Sequence, residues 1–132
     1  MRVLALDYGS ARCGCALSDP TGTVATPIEP IAAPASRRGL AALERLVREQ
    51  DVKHVVVGLP LSLSGADSAQ TREAREFAAR LEARVGDAVS VEMHDERFTT
   101  RLAQRAPGDQ RASEHSRAAA YLLEGWLASQ AR

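Results

Sequence analysis

Apolar residues in the first third of the chain fall into three short runs that predict strands. Residues 3–6 form a continuous apolar run that stops at Asp7, as in a buried strand that ends in a turn. Residues 13–17 form a second run, and the short link between the two predicts an antiparallel hairpin. Residues 23–31 are a third extended segment, whose two prolines confine it to the edge of a sheet.

The rest of the chain alternates helical stripes with further strands. In chain order, the pattern first predicts a helix capped by Ser36, a buried strand at 55–57 and a turn-rich loop at 61–67. A helix with an apolar stripe from Ala74 to Val85 and a strand at 89–93 are predicted next. The pattern then predicts a short helix that begins at Thr99 or Thr100 and ends at 107–109, and a last helix from about 113 to 129. The order β-β-β-α-β-α-β-α-α predicts an α/β fold with a mixed five-stranded sheet and helices on both faces.

The length of 132 residues and the 45% hydrophobic content are typical of one globular domain spanning residues 1–132. A chain of this size buries enough surface to fold without disulfides. Cys13 and Cys15 are therefore interpreted as small buried apolar residues. Since the chain shows no signal peptide and no run of 18 apolar residues, we expect a cytoplasmic protein with no membrane partner.

The formal net charge is zero, which excludes a globally basic nucleic-acid-binding protein. The distribution is uneven, however, because residues 97–117 carry five arginines against one aspartate and one glutamate. The arginines and glutamates at 72–84 alternate and predict a solvated helix surface. Aromatic residues make up only 4% of the chain, so we expect recognition of nucleic-acid backbone and shape rather than of bases.

Acidic residues follow two of the predicted parallel strands, Asp7 after the first and Glu96 after the last. Ligand sites of open α/β sheets lie at the carboxyl ends of their strands, where neighbouring side chains can share a divalent cation. Simpler roles remain open for each acid. Asp7, taken alone, is also compatible with a structural role in a turn. Glu96 is also compatible with a surface charge at the rim of the sheet that pairs with Arg97 or Arg101. Asp95 is better explained as a local turn or cap residue.

A similar strand, aspartate and glycine-rich hairpin opens the actin-like sugar kinases and chaperone ATPases, where the hairpin contacts ATP phosphates. Those proteins need two such domains around a cleft. The length of this chain decides against that interpretation.

The chain resembles the YqgF family, also called RuvX, whose members are named as Holliday junction resolvases or pre-16S ribosomal RNA nucleases. The resemblance covers nearly the whole chain, and the order and spacing of its segments are specific. These segments are Leu4-Ala5-Leu6-Asp7-Tyr8-Gly9, Arg12-Cys13-Gly14-Cys15-Ala16-Leu17-Ser18-Asp19, Val57-Gly58-Leu59-Pro60-Leu61 with Gly65, Asp95-Glu96-Arg97-Phe98-Thr99-Thr100, and residues 118–127. The resemblance implies an RNase H-like fold.

The resemblance also implies a metal site that uses Asp7, Glu96 and a third acid that opens the last helix. The third position is His115 in this chain, where the family has aspartate. Helical spacing relative to Ala119 predicts that His115 faces the sheet, and Glu114 or Asp109 remain alternatives as the third ligand. The implied cofactor is Mn²⁺ or Mg²⁺, and a histidine favours Mn²⁺.

Four residues are candidate contacts to nucleic acid. Arg97 and Arg101 are placed as phosphate contacts beside the acids, and Ser62 lies in a loop before a helix N-terminus. Arg12 is a further candidate, although the family usually has a lysine in this hairpin and this chain has Ala11 before Arg12.

The implied function is a metal-dependent nuclease that processes the 5′ end of pre-16S ribosomal RNA. Resolution of four-way DNA junctions is the alternative in the same enzyme class, and a symmetric junction would call for a dimer. A non-catalytic, nucleic-acid-binding ribosome-maturation protein is the alternative in another class, supported by the histidine at position 115. The chain is expected to act as a monomer or a homodimer.

Overall fold

The computed structural model describes residues 1–60, 68–95 and 114–130. In chain order its elements are β1 (Arg2–Asp7), β2 (Arg12–Ser18), β3 (Ala25–Ala32), α1 (Arg37–Glu49), β4 (Val52–Leu59), α2 (Ala69–Val85), β5 (Ser90–Asp95) and α3 (Glu114–Gln130). The predicted loop at 61–67, the short helix opening at Thr99 or Thr100, and its end at 107–109 lie outside the described residues.

Within the described residues, five strands form one mixed sheet in the order β3-β2-β1-β4-β5. The first three strands pair antiparallel, while β4 pairs parallel with both β1 and β5. The predicted fold class is confirmed, including the position of the proline-containing strand β3 at one edge. β1 is central, so its carboxyl end lies in the middle of the edge where β4 and β5 also end.

The two faces of the sheet carry different helices because successive strand residues point to opposite sides. On one face, Leu4 and Leu6 of β1 belong to the apolar cluster formed with α1 and α2. On the other face, Val3 and Ala5 belong to a cluster with α3. No helix in the described ranges is both long enough and apolar enough to cross a membrane.

Serine side chains cap the N-termini of α1 and α2. Ser36 caps α1 as predicted, and its hydroxyl accepts a hydrogen bond from the backbone N–H of Gly39 at 3.0 Å. Ser68 caps α2 in a reciprocal arrangement with Thr71. The Thr71 hydroxyl also donates to the carbonyl of Pro60 at 2.8 Å, which ties the start of α2 to the end of β4.

Polar contacts fix the C-terminal half of α3 to strands β4 and β5. The indole N–H of Trp126 donates to the Glu92 carboxylate, whose Oε1 also lies 2.9 Å from Nε2 of His54. The imidazole of His54 stacks on the Trp126 ring with centroids 4.8 Å apart. This end of α3 is therefore held at a place remote from the carboxyl end of β1.

Both cysteines are free and buried, as predicted. The hydrogen bond with Cys15 is the largest cause that raises the pKa of Cys13, followed by burial. A raised pKa keeps the Cys13 thiol protonated and chemically quiet.

The turn between β2 and β3 is organised by the carboxylate of Asp19. Asp19 accepts a hydrogen bond from the side chain of Thr21. It also accepts hydrogen bonds from the backbone N–H groups of Thr23 and Val24, and both of these are 2.7 Å long. The hydrogen bond from the Thr21 hydroxyl, then that from Val24, hold the pKa of Asp19 well below its ordinary value. A carboxylate with a lowered pKa stabilises the fold at pH values above its unfolded pKa of about 4.

We expect the advantage of the wild type over Asp19→Asn in free energy of unfolding to shrink as pH falls. The contribution of Asp19 is fully present above about pH 5 and is lost as pH falls from about 4 through the lowered pKa of the folded state. Urea denaturation at several pH values measures this difference. A difference that is the same at about pH 6 and about pH 2.5 would contradict the assignment.

Candidate active site

Asp7 is the last residue of β1, and it is half-buried at the centre of the sheet's edge. Its antiparallel partner on β2 is Gly14. On the other side, the parallel register pairs Leu6 with Val57, so the next residue of β4, Gly58, lies beside Asp7. Asp7 thus stands between two glycines, which place no side chain next to its carboxylate.

The alternation along β1 directs Asp7 to the face covered by α3, because Val3 and Ala5 point to that face. Gly14 shares this face as the direct cross-strand partner of Asp7. The first turn of α3 occupies the space over Gly14, where a Cβ atom would lie 1.9 Å from the carbonyl oxygen of His115. The topology therefore brings the backbone of His115 next to the strand pair that carries Asp7.

His115 itself is exposed, although its backbone contacts β2. The main chain of His115 therefore lies against the sheet, while the residue is largely exposed to solvent. The physical reason is its place in the helix. α3 begins at Glu114, so His115 lies in the first turn at the rim of the sheet, and the following residue, Ser116, is the one that is buried.

A pocket of about 260 Å³ opens on the other side of the β1 terminus. It is lined by Asp7, Tyr8, Gly9, Ser10, Pro60, Gln70 and Glu73. The ring of Tyr8 packs against Phe77 of α2 with centroids 4.7 Å apart, which fixes the hairpin after β1 against this helix. Asp7 is therefore reachable from solvent beside α2 as well as lying close to α3.

Glu73 was predicted to belong to a solvated helix surface, and it is exposed, but it also lines this pocket. Burial is the main cause that raises the pKa of Tyr8, and the negative charge of Glu73 is the next. The phenol of Tyr8 therefore stays protonated at neutral pH. No pattern in the sequence marks Glu73 as a pocket residue, because its alternation with arginines is typical of any solvated helix face.

The remaining predicted site residues divide into two groups. Arg12 is the exposed first residue of β2, and Asp95 is the half-buried last residue of β5, so both lie along the same edge of the sheet as Asp7. Five others lie outside the described residues, namely Ser62, Glu96, Arg97, Arg101 and Asp109.

The donors that the described residues bring to this edge are carboxylate oxygens and imidazole nitrogens. Such a set suits Mn²⁺, and its oxygens suit Mg²⁺. Across residues 1–60, 68–95 and 114–130, no group of three His, Cys, Asp or Glu side chains is arranged to hold a metal ion. The described residues are therefore compatible with a hard divalent cation at Asp7 and do not by themselves complete its ligand set.

The strand order, the parallel pairing of β4 with β1 and β5, and the aspartate that ends the central strand define an RNase H-like α/β domain. The fold is similar to that of Thermus thermophilus RuvC in complex with a Holliday junction substrate, with a TM-score of 0.68 and 12% identity over 99% of this chain and 96% of that one. It is also similar to the Fowlpox virus resolvase in a Holliday junction complex, with a TM-score of 0.58 and 9% identity over all of both chains.

The chain belongs to the RuvX family, described as Holliday junction resolvase, which it matches over residues 1–129. A relative from Koribacter versatilis is 48% identical over 104 residues, which are 79% of this chain and 67% of that protein. A relative from Anaeromyxobacter dehalogenans is 39% identical over 134 aligned positions, covering 96% of each chain. Both carry the name "Putative pre-16S rRNA nuclease". The predicted family and the predicted class of hydrolytic nuclease are confirmed.

Proposed function

We propose that residues 1–132 act as one metal-dependent nuclease domain that hydrolyses phosphodiester bonds of structured RNA at the Asp7 edge of the sheet. One observation carries the proposal. Asp7 ends the central strand between two glycines, with the first turn of α3 on one side and an open pocket on the other. In a chain of the RuvX family, this is the place where a carboxylate can meet both a cation and a phosphate group.

Asp7, Glu96 and His115 are the proposed ligands of the cation. Asp7 contributes a carboxylate from the most central strand, and Glu96 directly follows β5. His115 comes from the first turn of α3, whose backbone contacts the partner strand of Asp7. Glu114, the exposed first residue of α3, is the nearest alternative to His115 as the third ligand.

A divalent cation, when bound, supplies a hydroxide-like nucleophile and neutralises charge that develops on the phosphate. Asp7 holds its carboxylate in place because the residue is the anchored end of a buried strand rather than part of a free loop. Gly58 places no side chain beside Asp7 on the β4 side, which leaves lateral room for the phosphate group there. The protonated phenol of Tyr8 offers a hydrogen-bond donor beside the same pocket.

Arginines and one serine are the proposed contacts to the nucleic-acid backbone. Arg12 is exposed at the Asp7 edge, where its guanidinium can bind a phosphate on the β2 side. Arg97 and Arg101 follow the acidic end of β5, and Ser62 precedes α2. We expect these contacts to read backbone and shape, so affinity falls as salt rises.

The proposed substrate is precursor ribosomal RNA, because the relatives that cover most of this chain bear the name of a pre-16S rRNA nuclease. The family description favours a four-way DNA junction as the second candidate. Cleavage of a precursor rRNA fragment, a single-stranded DNA and a synthetic four-way junction, measured side by side, separates the two. Faster cleavage of the junction by a dimeric protein would favour resolution over RNA processing.

Removal of divalent metal is expected to lower the cleavage rate by about 100-fold or more, because a catalytic cation supplies several kcal/mol of transition-state stabilisation. The measurement compares EDTA-treated protein with the same protein after Mn²⁺ or Mg²⁺ is restored. Activity that survives EDTA unchanged would exclude the proposed mechanism.

The third ligand is tested by metal preference. We expect Mn²⁺ to support faster cleavage than Mg²⁺ in the wild type, because an imidazole nitrogen suits Mn²⁺ better than Mg²⁺. His115→Asp replaces that nitrogen by an oxygen donor and is expected to move the preference toward Mg²⁺. Glu114→Gln is the companion variant that tests the alternative ligand on the adjacent residue. Equal activity with the two metals in the wild type would argue against His115 as a ligand, and a loss seen only in Glu114→Gln would assign the role to Glu114.

A further inference from the structure

The first turn of α3 lies so close to β2 that only glycine fits at position 14. A Cβ atom on Gly14 would lie 1.9 Å from the carbonyl oxygen of His115, 2.2 Å from its carbonyl carbon and 2.8 Å from the backbone nitrogen of Ser116. These are main-chain atoms of a helix, so they cannot rotate away as a flexible side chain would. Glycine inside a strand often marks such a close backbone approach.

A hydrogen bond holds the first turn of α3 in this position on β2. The hydroxyl of Ser116 accepts from the backbone N–H of Cys15 at 3.2 Å, and Ser116 is fully buried. Cys15 follows Gly14 at the point where the pairing of β2 with β3 shifts register, between Cys13 and Cys15. Irregularities of this kind redirect groups next to active sites in other sheets. Here the redirected backbone N–H of Cys15 donates to Ser116 of α3.

The contact lies directly beside Asp7, since Gly14 is the cross-strand partner of Asp7. We propose that Gly14 and Ser116 are positioning residues that set the distance between Asp7 and the first turn of α3. They thereby determine whether His115 reaches a cation bound at Asp7, and in this respect the inference rests on the proposed function.

The rest of α3 has its own anchorage, so the position of its first turn can change without loss of the helix. Ala119, Leu122 and Leu123 are buried against the sheet, and Trp126 is fixed through Glu92. A displacement at Gly14 therefore moves the start of α3 while the C-terminal half stays docked. The effect at the site is separable from unfolding.

The test uses Gly14→Ala with Gly39→Ala as its matched control. A Cβ on Gly39 would lie 2.1 Å from the carbonyl oxygen of Ala33, nearly the same clash, but at the start of α1 on the other face. Both variants are expected to lose stability. In the folded protein, only Gly14→Ala is expected to weaken Mn²⁺ binding, by roughly 10- to 100-fold, as for other residues that orient a metal ligand.

Nuclear magnetic resonance gives a readout that activity cannot mimic. The chain has only three histidines, His54, His94 and His115, so the ring signal of His115 can be assigned with His115→Asp as the reference. Mn²⁺ is expected to broaden the His115 signal in the wild type and in Gly39→Ala at the same metal concentration. Gly14→Ala should require a correspondingly higher Mn²⁺ concentration to reach the same broadening of the His115 signal. Equal broadening in Gly14→Ala and the wild type would overturn the inference.

Ser116→Ala tests the hydrogen bond separately. Loss of the hydroxyl removes the acceptor of the Cys15 N–H, so the amide of Cys15 should exchange with solvent faster while Mn²⁺ binding weakens in the same direction. Unchanged exchange of the Cys15 amide and unchanged Mn²⁺ affinity would overturn the role of Ser116.

A metal-free measurement distinguishes failure of the positioning role from failure of the proposed function. If Mn²⁺ broadens the wild type and Asp7→Asn alike, the ligand assignment fails, and the placement is judged from the Overhauser contact between the amide hydrogen of Cys15 and the Hβ hydrogens of Ser116, the two residues joined by the hydrogen bond. Loss of this contact in Gly14→Ala, but not in Gly39→Ala, supports the positioning role. Its retention at full strength in Gly14→Ala overturns it.

Discussion

Asp7→Asn is expected to lower the rate of phosphodiester cleavage by about 100-fold or more, because it removes the charge of the most central proposed cation ligand. Asparagine is nearly isosteric with aspartate, and Asp7 lies between Gly14 and Gly58, where no neighbouring side chain has to adapt. The fold should therefore survive the change. Initial rates on precursor rRNA and on a four-way junction, with Mn²⁺, measure the effect.

Asp19→Asn is the matched control for this variant. It makes the same chemical change at the turn between β2 and β3, at the end of the sheet opposite Asp7. We expect its cleavage rate at neutral pH to equal that of the wild type. If Asp7→Asn also keeps full activity, either the nuclease is a contaminant or the catalytic site lies elsewhere, and the non-catalytic role in ribosome maturation gains support.

The elements that position Asp7 could be predicted from the sequence because each has a strong local signal. The run at residues 3–6 is apolar without alternation, which is typical of a strand covered on both faces, and it ends at Asp7 in the structure as predicted. The prolines of β3 and the cap at Ser36 are equally local. Family resemblance then added the identity of the fold and the class of enzyme.

The environment of Asp7 could not be predicted in the same way, because it depends on contacts between distant parts of the chain. Cys15 and Ser116 are 101 residues apart, and the close approach at Gly14 exists only when α3 docks. A glycine inside the second strand was visible in the sequence, and it was the one signal that could have marked this approach. Glu73 carried no such signal, since only the packing of α2 beside Pro60 brings it to the pocket.

Phe77→Ala is expected to lower the free energy of unfolding by about 3–5 kcal/mol, the largest stability effect we predict. Phe77 is almost fully buried between α2 and the sheet, so truncation leaves a cavity that the surrounding strand residues cannot fill. A loss of this size is a large part of the stability of a typical domain. Urea denaturation followed by circular dichroism measures it.

Two comparisons assign the loss to packing. Arg72→Ala, on the exposed side of α2, is expected to change the free energy of unfolding by no more than about 0.5 kcal/mol. Phe77→Leu keeps most of the volume and is expected to cost less than about 1.5 kcal/mol. If leucine and alanine were equally destabilising, cavity formation would not be the cause.

The same residue links the core to the site, because the Phe77 ring packs on Tyr8, the residue that follows Asp7. A double-mutant cycle with Tyr8→Leu and Phe77→Leu isolates this contact, and we expect a coupling energy of about 0.5–1.5 kcal/mol. Coupling of that size would mean that the hairpin after β1 is held against α2 by a specific ring contact. Additive losses would mean that the two rings merely fill space, and that the main-chain anchorage of β1 alone holds Asp7 in place.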